Sequence, residues 1–147
     1  METSEVGQPS DNYIGGCPGY ILWQSAMRWQ RKVNQTLSVF DLTYTQFIVL
    51  TITGWLQDKQ QEVYQYQVAR FARIDRMMTS RVIANLERKD FIKRLKKNED
   101  ARANLVYLTP EGIKVMKQAL SVVEKLEESF FNEKLTCNEL IIRNNQD

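Results

Sequence analysis

Apolar residues along the chain recur at helical spacing, with a single interruption. From Tyr20 onward, Leu22, Ala26, Trp29, Val33, Leu37 and Phe40 return at three- and four-residue steps, and Ile21, Trp23 and Met27 widen that stripe into a broad arc. A helix wet on half its surface does not need such an arc, so the pattern predicts burial on two sides. Thr43 caps a second helix, with Phe47, Ile48, Leu50 and Ile52 turned inward and Gly54 near its end. After the polar stretch Gln57 to Glu62 the helices shorten. Gln65 to Ala72 offers Val68, Ala69 and Phe71, and Arg73-Ile74-Asp75 makes a tight connection. Asp75 then caps a helix from Arg76 to Lys89. In that helix Thr79, Val82, Ile83 and Leu86 form one buried stripe. Arg76, Met77, Ser80, Arg81, Ala84, Asn85 and Arg88 point away from it.

The interruption is a hairpin. Phe91 to Leu95 and Leu105 to Leu108 are strand-like, separated by the polar run Lys96 to Arg102. Thr109-Pro110-Glu111-Gly112 then opens a long helix, with Thr109 as its cap and Pro110 in the first turn. Its apolar stripe is Ile113, Met116, Leu120, Val123, Leu126 and Phe130. A last short helix is expected near Thr136 to Ile142. The expected fold is mainly α with one small β-hairpin, an α+β class. Residues 1–18 read as a flexible arm and 19–147 as a single domain.

Composition narrows the function. Among 147 residues there is no His and there are 2 Cys. That leaves no Ser-His-Asp or Cys-His pair, no imidazole ligand and no disulfide framework, so an enzyme, a bound metal and a cofactor are not expected. Residues 1–19 lack the basic start and apolar run of a secretory signal, and no window reaches a membrane-spanning length, so a cytoplasmic protein is expected. The formal charge of +2 hides an uneven distribution. Residues 70–102 carry eleven basic against five acidic residues, whereas the segments before and after are each net acidic by two. A local field of that sign suits a polyanion, so double-stranded DNA is the expected partner.

Two short helices joined by a tight turn, the second with a basic outer face, describe a helix-turn-helix. Together with the hairpin and the flanking helices, the chain resembles the MarR family of winged-helix regulators from about Pro18 to Phe131. Leu42-Thr43-Tyr44-Thr45-Gln46-Phe47 is similar to that family's LTxxQ motif with a following aromatic. Met78-Thr79-Ser80-Arg81 and Leu86-Glu87-Arg88-Lys89 are similar to its recognition helix, Asp100-Ala101-Arg102 to the D-x-R of its wing, and Leu108 to Gly112 to its LTxxG. The chain departs from the pattern at Asp90, where the family usually has Gly, and at Met77 and Met78, where small hydroxylated residues are common. Asp tolerates the left-handed conformation needed there. The resemblance implies a winged helix-turn-helix over about residues 42–109, between dimerisation helices over about 19–40 and 110–143.

A helix presenting Arg76, Ser80, Arg81 and Asn85 suits the major groove, where Arg grips guanine and Asn grips adenine; Met77 suits a thymine methyl. Lys96, Lys97 and Arg102 sit on the hairpin, and the resemblance places Arg102 in the minor groove with Asp100 bracing the wing. Lys93 and Arg94 are expected at phosphates. The broad arc of the first helix, with Leu126, Phe130, Phe131, Leu140 and Ile141, predicts that a second copy of the chain covers them. The resemblance implies a homodimer through these same helices, for which a pseudo-palindromic operator follows from the two-fold symmetry, and a repressor is the expected role. The resemblance further implies release by a small aromatic or phenolic effector, for which Trp23, Met27, Tyr44 and Phe47 are the candidate lining, with Trp29 and Trp55 nearby in type. Competing readings are a winged helix that binds protein rather than DNA, and a redox sensor working through Cys17; Cys137 reads as structural.

Overall fold

The computed structural model describes residues 17–97 and 104–131. They form helices α1 (Pro18–Leu37), α2 (Tyr44–Gln57), α3 (Gln65–Ala72), α4 (Arg76–Arg88) and α5 (Pro110–Phe131), with strands β1 (Ile92–Lys96) and β2 (Asn104–Leu108) between α4 and α5. The expected mainly helical fold with a two-stranded hairpin is therefore present. The arm over 1–16, the helix over 136–142, Cys137, Leu140 and Ile141 lie outside the described residues. The chain falls into two compact units, one drawn from Met1–Lys32 and Leu126–Asp147, the other Val33–Lys125.

In the first unit Trp29 packs against both Phe130 and Phe131, with ring centroids 5.2 and 5.1 Å away. The buried row of α1 is not quite the predicted one. Ile21, Ser25 and Trp29 are buried, whereas Leu22 is 64% and Trp23 59% exposed. Ser25 is polar by type and has no place in an apolar stripe, but it donates to the Ile21 carbonyl at 2.8 Å and so enters the interior already paired.

The second unit holds the main core. Phe47, Leu50 and Leu56 of α2, Val68 of α3, Val82, Ile83 and Leu86 of α4, and Ile92, Val106 and Leu108 of the hairpin are all buried. Val33 and Leu37, at the end of α1, are buried in this unit as well. Phe71, expected inside, is exposed; Ile48 and Ile52 are half-buried. On α5 the buried row is Gly112, Ala119 and Val123. Ile113 is exposed, because Gly112 rather than Ile113 faces the hairpin.

The helix ends explain the motifs. Thr43 caps α2: its Oγ1 accepts from the Gln46 N–H at 3.2 Å, while Gln46 Oε1 accepts from the Thr43 N–H at 3.1 Å. The same Gln46 oxygen accepts from Lys89 Nζ at 3.1 Å, and Lys89 also donates to the Asp41 carbonyl. The LTxxQ motif thus starts α2 and ties it to the end of α4. Asp75 caps α4 as predicted, its carboxylate accepting from the Met78 N–H at 2.8 Å. Asp41, Arg73 and Asp90 have φ of 56°, 54° and 61°. Each follows the same stop: its own N–H reaches back three residues, and the next N–H reaches back five, as Phe91 does to Leu86 at 2.9 Å. The expected left-handed turn at Asp90 is present.

Thr109 and Gly112 seat α5 against the hairpin's start. Thr109 Oγ1 donates to the Asp90 carbonyl at 2.5 Å and accepts from the Gly112 N–H at 2.9 Å, while the Thr109 N–H donates to the Phe91 carbonyl at 3.0 Å. A Cβ on Gly112 would collide with that Phe91 carbonyl.

Candidate nucleic-acid interface

Helix α4 is held from behind. Thr79, Val82, Ile83 and Leu86 are buried, and Thr79 Oγ1 donates to the Asp75 carbonyl at 2.9 Å. At 100° per residue the opposite face is the row Met77, Arg81, Ala84 and Arg88. Met77 is 69% exposed, and Arg76, Arg81 and Arg88 are exposed with it. Ser80 and Asn85, expected to face outward, are half-buried at the flanks. Ser80 Oγ accepts from Arg94 Nη1 at 3.2 Å, and Asn85 Oδ1 accepts from the Arg88 guanidinium.

The strands pair antiparallel from Ile92 with Leu108 to Lys96 with Asn104. A segment that nothing in the sequence marks as extended joins them: Tyr64 bridges to Leu105, and the Val106 N–H donates to the Val63 carbonyl at 2.9 Å. Lys93 and Lys96 are exposed. Arg94, expected at a phosphate, is instead turned onto α4, its Nε 2.7 Å from Glu87 Oε1. The two-residue period of a strand puts it on the face of buried Ile92, away from Lys93. Asp100 and Arg102 lie outside the described residues.

Lys97, expected at DNA, is tied down where β1 ends. Its Nζ lies 2.5 Å from Glu62 Oε2 and 3.2 Å from the Tyr64 hydroxyl, which itself donates to Glu62 at 3.1 Å. The Lys97 and Tyr64 hydrogen bonds hold the Glu62 carboxyl below its ordinary range, and the Glu62 hydrogen bond lifts the Lys97 ammonium above its own. The depressed Glu62 value means that its contribution is complete above the ordinary glutamate range and lost as pH falls through the folded value. The raised Lys97 value means the reverse: complete below the ordinary lysine range and lost as pH rises through the folded value. The Val106 amide signal in an NMR titration is therefore expected to stay flat between about pH 5 and 8 and to move only outside that window, in acid as Glu62 is protonated and in strong base as Lys97 loses its proton. An inflection inside that window would contradict the anchor.

The candidate effector residues are distributed over the two units. Trp23 and Met27 belong to the first, where Trp23 stacks on Tyr20 at 6.4 Å. Tyr44 and Phe47 belong to the second, stacked on each other at 6.0 Å, with Phe47 buried in the core. A cavity of about 260 Å³ in the second unit is lined instead by Asn34, Ser38, Asp41, Leu42, Thr43 and Lys89. Cys17 is half-buried at the start of α1, its carbonyl accepting from the Ile21 N–H. Among the described residues there is no His/Cys/Asp/Glu cluster fit for a metal, and no single helix is long and apolar enough to cross a membrane.

Glu62, Tyr64 and Glu87 are the site residues that sequence reasoning misses. Their partners lie 35, 33 and 7 residues away, and no local spacing marks such pairs.

A supported helix with a basic outer row, a tight turn before it and a hairpin after it define a winged-helix transcriptional regulator. The sequence model described as "Transcriptional regulator SarA/Rot" matches residues 31–119, and the chain belongs to that family. It is a regulator and not an enzyme. The uncharacterized HTH-type regulator YdcH of Bacillus subtilis is 41% identical over 114 residues, 78% of each chain. The fold is that of MarR-family regulators, as the resemblance implied. A mutant MarR from E. coli complexed with operator DNA superposes with a TM-score of 0.72 at 24% identity, covering 93% of this chain and 96% of that one. BpsR of Bordetella bronchiseptica superposes at 0.69 with 25% identity, covering 88% and 98%.

Proposed function

We propose that this regulator binds double-stranded DNA sequence-specifically as a homodimer and acts as a repressor. Helix α4 enters the major groove, with Met77 and Arg81 toward base edges, Arg76 at its N-terminal end, and Ser80 and Asn85 at its flanks. The hairpin lies along the adjacent minor groove, with Arg102 in it and Asp100 bracing. Lys93 and Lys96 meet phosphates. Arg94 and Lys97 are paired with Glu87 and Glu62, and to reach a phosphate they would exchange those carboxylates for it. The observation that carries this reading is the two-faced α4: a sealed apolar stripe behind, an exposed row with Arg81 and Arg88 in front.

Support for a second copy is the apolar surface of α1, where Tyr20, Leu22 and Trp23 are exposed to water at a cost that a partner helix removes. Two copies related by a two-fold axis place their α4 helices at half-sites about 34 Å apart, so the operator is pseudo-palindromic. A duplex held in both grooves is closed to polymerase, which makes repression the simplest output. Release by a small aromatic compound completes the reading; in BpsR of Bordetella bronchiseptica, DNA binding is regulated by 6-hydroxynicotinic acid.

Fluorescence anisotropy on a labelled duplex at several salt concentrations tests the class. Log K is expected to fall linearly with log salt, with a slope near −0.9 for each phosphate neutralised, and titration above Kd to saturate at two chains per duplex. A flat plot would sink the DNA reading and leave the winged helix as a protein-interaction module, which the exposed Met77 and Met78 would then serve.

A further inference from the structure

The geometry points to Met77 as a specificity-determining residue that reads a thymine methyl within about two base pairs of a guanine held by Arg81. This rests on the placement of α4 in the major groove proposed above. Met77 is the most exposed apolar side chain of α4, at 69%, against 46% for Met78. It occupies the first turn, where a polar residue is equally well accommodated and acidic ones are favoured by the helix dipole. A water-facing thioether there adds nothing to the fold, so its apolar surface is available for a ligand.

Position decides which ligand group it meets. Met77 and Arg81 are one turn apart on the same row, about 6 Å along the helix axis, which matches roughly two base steps. In the major groove the thymine C5-methyl is the apolar group, and guanine O6 and N7 are the pair that suits a guanidinium. A flexible, polarisable methionine adapts to a methyl without demanding one rotamer. Ala84 follows on the row, and its small side chain lets the helix approach the base edges. Ser80, the hydroxylated neighbour, is already engaged by Arg94. Met78, near the edge of the outward face, points about 100° around the helix from Met77 and is not the reader.

The test uses the full chain. Duplexes enriched from a randomised pool define the site, and each thymine in it is then replaced in turn by deoxyuridine, which removes only the methyl. One thymine per half-site, beside a guanine, is expected to show about fourfold weaker binding on replacement, the worth of one buried methyl. Met77→Ala is expected to bind the thymine and uridine duplexes equally, while Met78→Ala keeps the discrimination. Uridine replacement without effect on the native protein, or discrimination surviving in Met77→Ala, overturns the inference while leaving DNA binding intact. Failure to enrich any duplex overturns the DNA reading itself, and this one with it.

Discussion

Replacing Gly112 with alanine is expected to destabilise the winged unit by about 3 kcal/mol, at the upper end of overpacking costs. The new Cβ would meet the Phe91 carbonyl, a backbone atom already accepting from the Thr109 N–H. Relief needs α5 and the start of β1 to separate, and that movement strains the Thr109 bonds to Asp90 and Phe91. Gly54 supplies the contrast. A Cβ there comes 2.6 Å from Met116 Sδ, the end of a flexible side chain, so Met116 can move aside. Alanine also gains about 1 kcal/mol over glycine in a helix interior, which offsets part of the crowding at Gly54. Urea unfolding of both variants separates the cases. Equal midpoints for Gly112→Ala and Gly54→Ala would contradict the role given to the LTxxG glycine.

Arg81→Ala is expected to weaken binding to the selected operator by about 1–3 kcal/mol, or roughly five- to 150-fold. From its position at the centre of the outward row we propose it as a base contact rather than a phosphate contact. Two readouts separate those roles. Loss of a base contact lowers affinity for the operator while leaving non-specific binding near its native level, so sequence preference flattens. Loss of a phosphate contact lowers both together and reduces the salt slope by about one. Arg81→Lys keeps the charge but loses the bidentate fork, and is expected to behave much like alanine on the operator. A uniform loss across sequences would move Arg81 to the backbone.

Much of this architecture is legible in the chain because each cue acts locally. Thr43 and Gln46, Asp75 and Met78, and Thr109 and Gly112 each lie three residues apart, so caps and motifs mark helix starts directly. The two faces of α4 follow from its period. What escapes the sequence is pairing over distance. Lys97 and Arg94 look like any basic residues on a hairpin, and only the fold reveals Glu62, Tyr64 and Glu87 as their partners. The third extended segment at Val63 and Tyr64 is hidden for the same reason, since a single bridge leaves no alternation to read. The departure at the start of α1, where Ile21 and Ser25 rather than Leu22 and Ala26 are buried, has another cause: Ser25 carries a polar name but a satisfied hydroxyl.

The stop between α3 and α4 carries a further implication. Arg73 holds a left-handed backbone that glycine would adopt freely, a strain of roughly 1–2 kcal/mol. In exchange the turn of the helix-turn-helix keeps a cation at the carboxyl end of α3, where the aligned carbonyls favour positive charge, and beside the helix proposed to meet the polyanion. Stability and affinity therefore pull this position in opposite directions. A chain selected only for resistance to heat would drift toward glycine at 73, and would bind less well for it.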